Sequence, residues 1–464
     1  MVMHSALAAA VAAALLPLSL APSGASPGLP GFTPGAPGAG DPYFPKAGNG
    51  GFDVAAYDIA LTYTPKGRRI AATTRVTATA TQNLSRFDLD FTGNTVRSVT
   101  VDGAKAAFRR DGGELVVTPA RGLPKGRRFT VAVAYTGAPA TDKDPELGKT
   151  GWIPTKDGAV TLSEPTGSST WFPVSDHPSD KARFSYAITV PKGLRVVANG
   201  EPVGTAERRA ATTYRWRTAQ PMAPYLALVA IGKFDVRDGR SPGGVRTITA
   251  ADPALRVKAA DFQRDTAAVT DWETKLFGRF PFDSTGGVVD NVGVGYALET
   301  QNRPVYPNPA NDILLVHELA HQWFGDSVSV ARWKDIWLNE GFATYAEWLW
   351  REKHGKQTSD DRFAKLYAKP ASSPAWKIKT GEPGKAGMFD EFAIYDRGAM
   401  TLHALRRKVG DAVFFRILRE WPARFAHRNA TSEDFIAFAE RVSGTDLDGL
   451  FDAWLFTAAK PPKP

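Results

Sequence analysis

The sequence predicts an α+β protein of two or three domains, with antiparallel β structure in its N-terminal half and mainly helix in its C-terminal half. Three observations carry that expectation. The chain has 464 residues, more than one ordinary core accommodates. From Phe52 onward, short segments rich in Val, Thr and aromatics recur between turn formers. Beyond residue 253 the apolar residues take up helical spacing instead.

The elements follow in order. Residues 1–25 read as a signal peptide. Ala6 to Leu20 is an apolar run interrupted by Pro17, and Ser23, Gly24 and Ala25 supply small residues for cleavage near Ala25. The run is shorter than the ~20 apolar residues that span a bilayer. Export is therefore expected, with no stable membrane insertion after cleavage; retention as an anchor is the alternative. Residues 26–50, rich in Pro and Gly, are expected to form an extended linker with no core of their own. Residues 51–245 form the β domain. Tyr57 to Tyr63, Thr74 to Thr79, Phe129 to Tyr135 and Phe184 to Val190 read as strands, with turns at Pro65-Lys66-Gly67 and Asp111-Gly112-Gly113. Residues 246–464 form the helical domain. Helices are predicted over 254–277 (ending at Gly278), 311–324, 335–353, 395–408, 411–420 and 432–443, the last opened by Ser432 as N-cap. Gly286 to Asp290 and Gly293 to Thr300 look like strands.

Composition removes several function classes. The chain has no cysteine, which excludes thiol catalysis, disulfides and thiolate metal sites. The net charge of +9 is dispersed, and its densest clusters, Lys66 to Arg69 and Lys125 to Arg128, fall where hairpin ends are expected. Such clusters are solvated, so no nucleic-acid partner is expected, although the charge leaves room for loose attraction to an acidic cell envelope.

The central motif is His317-Glu318-Leu319-Ala320-His321. Two histidines at i and i+4 share one helix face, so both rings reach one metal ion, while Glu318 projects beside the pair to take a proton from a metal-bound water. Glu340 opens the next predicted helix after 18 intervening residues. A loop of that size returns the second helix beside the first. Two imidazoles and one carboxylate leave a fourth position for water, the arrangement of a catalytic zinc, one Zn2+ per chain.

His317 to Gly325 (HELAHQWFG) and Trp337 to Ala343 (WLNEGFA) resemble the signature of the aminopeptidase N-type zinc peptidases, gluzincins with a downstream Glu. Phe172-Pro173, Asp176, Pro178 to Ala182 and Phe277 to Phe282 fit the same pattern. The resemblance implies a saddle-shaped β domain followed by a thermolysin-like catalytic domain, and peptide substrates. It assigns Glu299, within Val294 to Thr300, to the substrate N-terminal ammonium, matching the family's Gly-Ala-Met-Glu-Asn segment. Tyr296, Leu298 and Thr300 stand where the family usually has Gly, Met and Asn, a departure that bears on the first side-chain pocket. It also assigns Glu164 to the ammonium and Tyr395 to the oxyanion. Large members continue with a helical domain that roofs the site, so the short form is expected to have a more open cleft. A zinc endopeptidase, another zinc hydrolase such as an epoxide hydrolase, and a non-catalytic peptide-binding module are the competing readings.

Overall fold

Alternation along Phe52–Thr64 is strict enough to fix one face of a sheet. Tyr57, Ile59, Leu61 and Tyr63 are buried while the residues between them are exposed. The computed structural model describes residues 31–464, so the predicted signal segment and its cleavage point lie outside the described residues. Phe52–Thr64 and its hairpin partner Arg69–Ala80 sit in the middle of an eight-stranded sheet. Arg128–Gly137 and Thr95–Val101 follow on one side, and Arg183–Pro191, Ala211–Arg217 and Glu201–Glu207 on the other. The sheet is antiparallel except where Arg183–Pro191 runs parallel to Phe52–Thr64, pairing Tyr186 with Ile59. Alternation carries no strand direction, and the long excursion between the two strands supplies the crossover a parallel neighbour needs. A second sheet joins Thr141–Asp144, Gly148–Pro154, Ala159–Leu162, Val229–Gly232 and Arg195–Ala198.

The helical half opens on a third sheet. Asp235–Arg240 and Arg246–Ala251 form a hairpin, and Arg246–Ala251 then runs parallel to Ser284–Val289 through the crossover helix α1 (Ala259–Phe277). The hairpin begins before residue 245, because the change of apolar spacing marks the first helix and not the first strand of this sheet. The helices that follow are α2 (Asp312–Ala320), α3 (Trp337–Lys353), α4 (Ser359–Tyr367), α5 (Arg397–Val409), α6 (Asp411–Arg424), α7 (Ser432–Ser443) and the short α8 (Asp448–Phe451).

Several expectations change. Apart from the two-residue strand Thr33–Pro34, which pairs with Leu84–Asp90, residues 31–50 have no regular structure, but they are docked. The Trp333 amide donates to Asp41 Oδ2 at 2.9 Å, and His177 Nε2 lies 3.2 Å from the same oxygen. The Gly384 amide donates to the Tyr43 hydroxyl at 2.8 Å, and Phe44 stands edge-on to Trp333. Pro and Gly limit regular structure to that short strand; Asp41, Tyr43 and Phe44 supply the bonds and apolar area that seat the segment across both halves. Gly293 to Thr300 is not a strand: only Leu298 pairs, with Val305, because the segment's backbone turns around the cleft. The N-cap of α7 is Thr431, in a capping box with Asp434. Ser432 instead donates to Asp335 Oδ1 at 2.7 Å. Helix α4 was unforeseen; its Thr358 cap and acidic first turn were the available signal.

The two halves meet behind α2. Lys181 is half-buried, and its ammonium donates to the carbonyls of Asp326 and Ser327 and to Ser329 Oγ at 2.8–3.0 Å. Burial pushes this lysine down to about 7, so the bonds stand in for water around a marginally charged group. The contact gives the Pro178 to Ala182 motif a physical role, since it fixes the turn that follows the second histidine.

Candidate active site

Asn311 caps α2 by accepting from the Leu314 amide at 2.9 Å, which sets the phase of the helix. That phase turns His317 and His321 to one side, their ring centroids 4.8 Å apart. On the facing helix, Glu340 sits in the first turn of α3. Its Oε2 lies 3.2 Å from His317 Nε2 and 3.4 Å from His321 Nε2. α3 is held against α5 by a close approach of Gly341 and Gly398: a Cβ at Gly341 would stand 3.0 Å from the Gly398 backbone. The lack of side chains at Gly341 and Gly398 therefore brings Glu340 beside the element that carries Tyr395.

The other ring nitrogens are tied down. His317 Nδ1 donates to Glu347 Oε1 at 2.9 Å, and His321 Nδ1 donates to the Phe324 carbonyl at 3.0 Å. With Nδ1 donating in each ring, Nε2 is the atom left to bind a metal ion between the two rings and Glu340. The ligand atoms of His317, His321 and Glu340 lie within 4.8 Å of one another. This donor set fits a catalytic zinc. Without a cation, protons do the neutralising. Burial lowers the His321 imidazole, but Glu340 and Glu299 outweigh it and raise the ring to about 9. Burial raises Glu340, but His321 and His317 outweigh it and hold the carboxyl at about 2. A divalent cation would displace those imidazolium protons.

The same cleft gathers the other predicted residues. Carboxylate oxygens of Glu164, Glu299 and Glu340 also lie within 4.8 Å of one another, so residues distant in sequence form one anionic end. Glu164 is 4% exposed, and its Oε1 is buried without a partner. Glu299 accepts from the Tyr225 hydroxyl at 3.3 Å. Burial raises both carboxyls, and Glu299 adds to the shift of Glu164. Glu318 is buried beside the ligands; burial raises it to about 8 despite the opposing pull of His317 and His321. Tyr395 lies in a π-helical turn, Glu391–Asp396, just before α5, and its ring stacks on His317 at 6.0 Å between centroids. These groups line a cavity of about 540 Å³.

Sequence reasoning missed Glu347, Gln322, Asn339 and Tyr225. Glu347 lies seven residues after Glu340, two turns along the same helix face, and that spacing was a usable signal. Gln322 donates to the Glu299 carbonyl at 3.2 Å and Asn339 to the Tyr225 hydroxyl at 3.4 Å; both stood inside the quoted motifs without a role. Tyr225 comes from the β half and gave no signal.

Known proteins resemble this chain in sequence and fold. Residues 297–454 match the peptidase family M1 domain, and residues 54–226 match the peptidase M1 N-terminal domain. A solved variant of the M1 zinc metallopeptidase from Deinococcus radiodurans is 30% identical and superposes with a TM-score of 0.83, covering 92% of this chain and 100% of that one. The chain belongs to peptidase family M1. The family M1 match contains Glu299, His317, Glu318, His321, Glu340 and Tyr395, and the N-terminal match contains Glu164. A second solved structure of the Deinococcus protein is bound to a Tyr-Ser-Ala substrate, again at 30% identity and a TM-score of 0.83 over 92% of this chain and 98% of that one. Among curated M1 relatives, aminopeptidase M1-D of Oryza sativa subsp. japonica is 28% identical over 65% of this chain, and leucyl aminopeptidase of Saccharolobus solfataricus is 28% identical over 66%. The alignments span 37% and 42% of those relatives' own lengths.

Proposed function

We propose that this chain is a secreted, zinc-dependent aminopeptidase that hydrolyses the first peptide bond of peptides with a free N-terminus. The observation that carries the reading is the meeting of Glu164 and Glu299 with the ligand carboxylate Glu340 in one buried cluster. A metal site alone serves any hydrolase. Two further carboxylates beside it, one with an unpartnered buried oxygen, suit a substrate ammonium and place the first carbonyl next to the metal ligands.

His317, His321 and Glu340 would hold the zinc. When bound, zinc supplies Lewis acidity, lowering the pKa of a water and polarising the carbonyl. Glu318 takes the proton of the attacking water and passes it to the departing amine. Tyr395 donates its hydroxyl hydrogen to the carbonyl oxygen as charge develops there. Glu299 and Glu164 hold the ammonium and so limit cleavage to the first bond. Export rests on the Ala6 to Leu20 run; no helix among the described residues is long and apolar enough to cross a membrane.

The test is hydrolysis of aminoacyl fluorogenic amides by mature protein, with N-acetylated controls and a chelator arm restored by zinc. Turnover of free-amine substrates alone, abolished by chelation, is the expected result. Equal turnover of acetylated substrates would move the assignment to an endopeptidase. N-terminal sequencing of protein recovered from the medium should begin just after Ala25; an intact Met1 start would overturn export with cleavage.

A further inference from the structure

Glu164, Glu299, Glu318, Glu340, Glu347 and Glu391 all line the cleft, and among the described residues no lysine or arginine does. This is the reverse of the chain as a whole, whose net charge is +9. Five of these glutamates have a use in the arrangement described above. Glu340 completes the ligand set, Glu318 sits beside it, Glu347 fixes the His317 ring, and Glu164 and Glu299 face the ammonium. Glu391 is left over. It is exposed to the cleft, and its carboxylate has no ion-pair or hydrogen-bond partner among the described residues.

The end of the cleft to which Glu391 belongs follows from a chain of contacts. Thr150, on the strand Gly148–Pro154, donates to the carbonyl of Glu164 at 2.7 Å, which ties that strand to the ammonium end. The tip of the same hairpin, Glu146 and Leu147, projects over the cleft, and Leu147 lines it. Glu146 Oε2 accepts from the Phe389 amide at 3.1 Å, drawing the segment before the π-helical turn to this end. Glu391 comes two residues later. Tyr296 donates its hydroxyl to the Lys149 carbonyl at 2.7 Å, closing the hairpin onto the loop that carries Glu299. Tyr296 is one of the positions where this sequence departs from the resemblance noted above, so this closure belongs to this chain's own residues.

We propose that Glu391 makes the first side-chain pocket select peptides whose N-terminal residue is cationic, arginine or lysine. This rests on the aminopeptidase reading and deepens it. Leu147 and Tyr296 offer apolar surface to the methylene stem of such a residue, and the free Glu391 carboxylate lining the same cleft would meet the charged head. Coulomb repulsion from the free Glu391 carboxylate also disfavours an N-terminal Asp or Glu.

The experiment compares kcat/KM for Arg, Lys, norleucine and Glu aminoacyl amides in the parent and in Glu391→Gln and Glu391→Lys. Norleucine matches the lysine stem without its charge. The parent should favour Arg and Lys over norleucine by about fivefold to tenfold, the size of one partly desolvated ion pair. Glu391→Gln should bring that ratio to near one, and Glu391→Lys should invert it. A second readout is calorimetric binding of free L-arginine and L-norleucine to zinc-loaded Glu318→Ala protein, with and without Glu391→Gln, where the same ratio should appear and disappear. A parent that turns over norleucine as well as lysine, or a ratio unmoved by Glu391→Gln, overturns the selectivity while leaving the aminopeptidase reading standing. Failure of every free-amine substrate, with neither amino acid bound, overturns both.

Discussion

At the metal-ligand end of the cleft each imidazole has a second partner, Glu347 on His317 and the Phe324 carbonyl on His321, whereas at the ammonium end Glu164 keeps a buried oxygen with no partner at all. The first end is organised before anything binds, since ring orientation and tautomer are set by contacts from α3 and from the turn after α2. The second is left short of positive charge, so that a substrate cation completes it. The contrast suits the two tasks. A resident metal is held best by ligands that do not move, while a substrate that must arrive and leave is held by groups whose desolvation it relieves.

The strongest way to separate the two ends is to remove Glu318, which belongs to the reaction and to neither binding task. Glu318→Ala should cut kcat by about 10²–10⁴-fold, the range for a positioned general base, with zinc content unchanged by atomic absorption. Loss of zinc along with activity would mean that Glu318 serves the metal end. Next in size is the ammonium end. Glu299→Gln should lower kcat/KM for free-amine substrates by about 10²-fold, mainly through KM, because a buried charge partner is lost while the metal remains. A pure kcat effect would place Glu299 in the chemistry instead. A smaller change is expected from the metal end's outer support. Glu347→Ala should weaken zinc affinity about tenfold to a hundredfold in competition with a chelator dye, and excess zinc should recover most turnover. If turnover stayed low at saturating zinc, ring orientation and not affinity would be the role of Glu347.

Much of this comparison was legible in the sequence, but unevenly. The metal end was readable because helix geometry converts spacing into direction: i and i+4 fix two ligands, and a loop of 18 residues returns the third. The ammonium end was not readable that way. Glu164 reaches the site from the β half, and Glu299 from a segment that looked like a strand but pairs only at Leu298. Only the resemblance pointed to them, since no local periodicity links residues brought together by tertiary structure. The order of β and helical halves came from composition and period. The parallel pair at Arg183–Pro191 and the docking of residues 31–50 did not, because direction and docking depend on partners far along the chain. Asp41 illustrates the limit: inside a Pro/Gly-rich run it reads as a loop residue, yet it joins His177 and Trp333.

The smallest predicted effect tests the idea that the ammonium end is kept under-paired at some cost to stability. Burial, reinforced by Glu299, Glu340 and Glu318, holds the Glu164 carboxyl well above its ordinary value. In the unfolded chain a glutamate ionises near about 4.3. A group whose folded pKa is raised contributes its stability below the unfolded value and loses it as pH rises toward the folded one. In metal-free protein, ionising Glu164 should therefore oppose folding at neutral pH. Glu164→Gln keeps the shape and removes the titration. Its Tm should exceed the parent's by about 1–4 °C at pH 7, and the gap should close as pH falls toward about 4. The same variant should have a higher KM for free-amine substrates, so stability and function move in opposite directions. Adding a substrate-like amine, such as L-arginine, should narrow the gap from the other side by stabilising the parent more than the variant. A lower Tm at every pH would make Glu164 an ordinary structural group, and the two ends of the cleft would then be built alike.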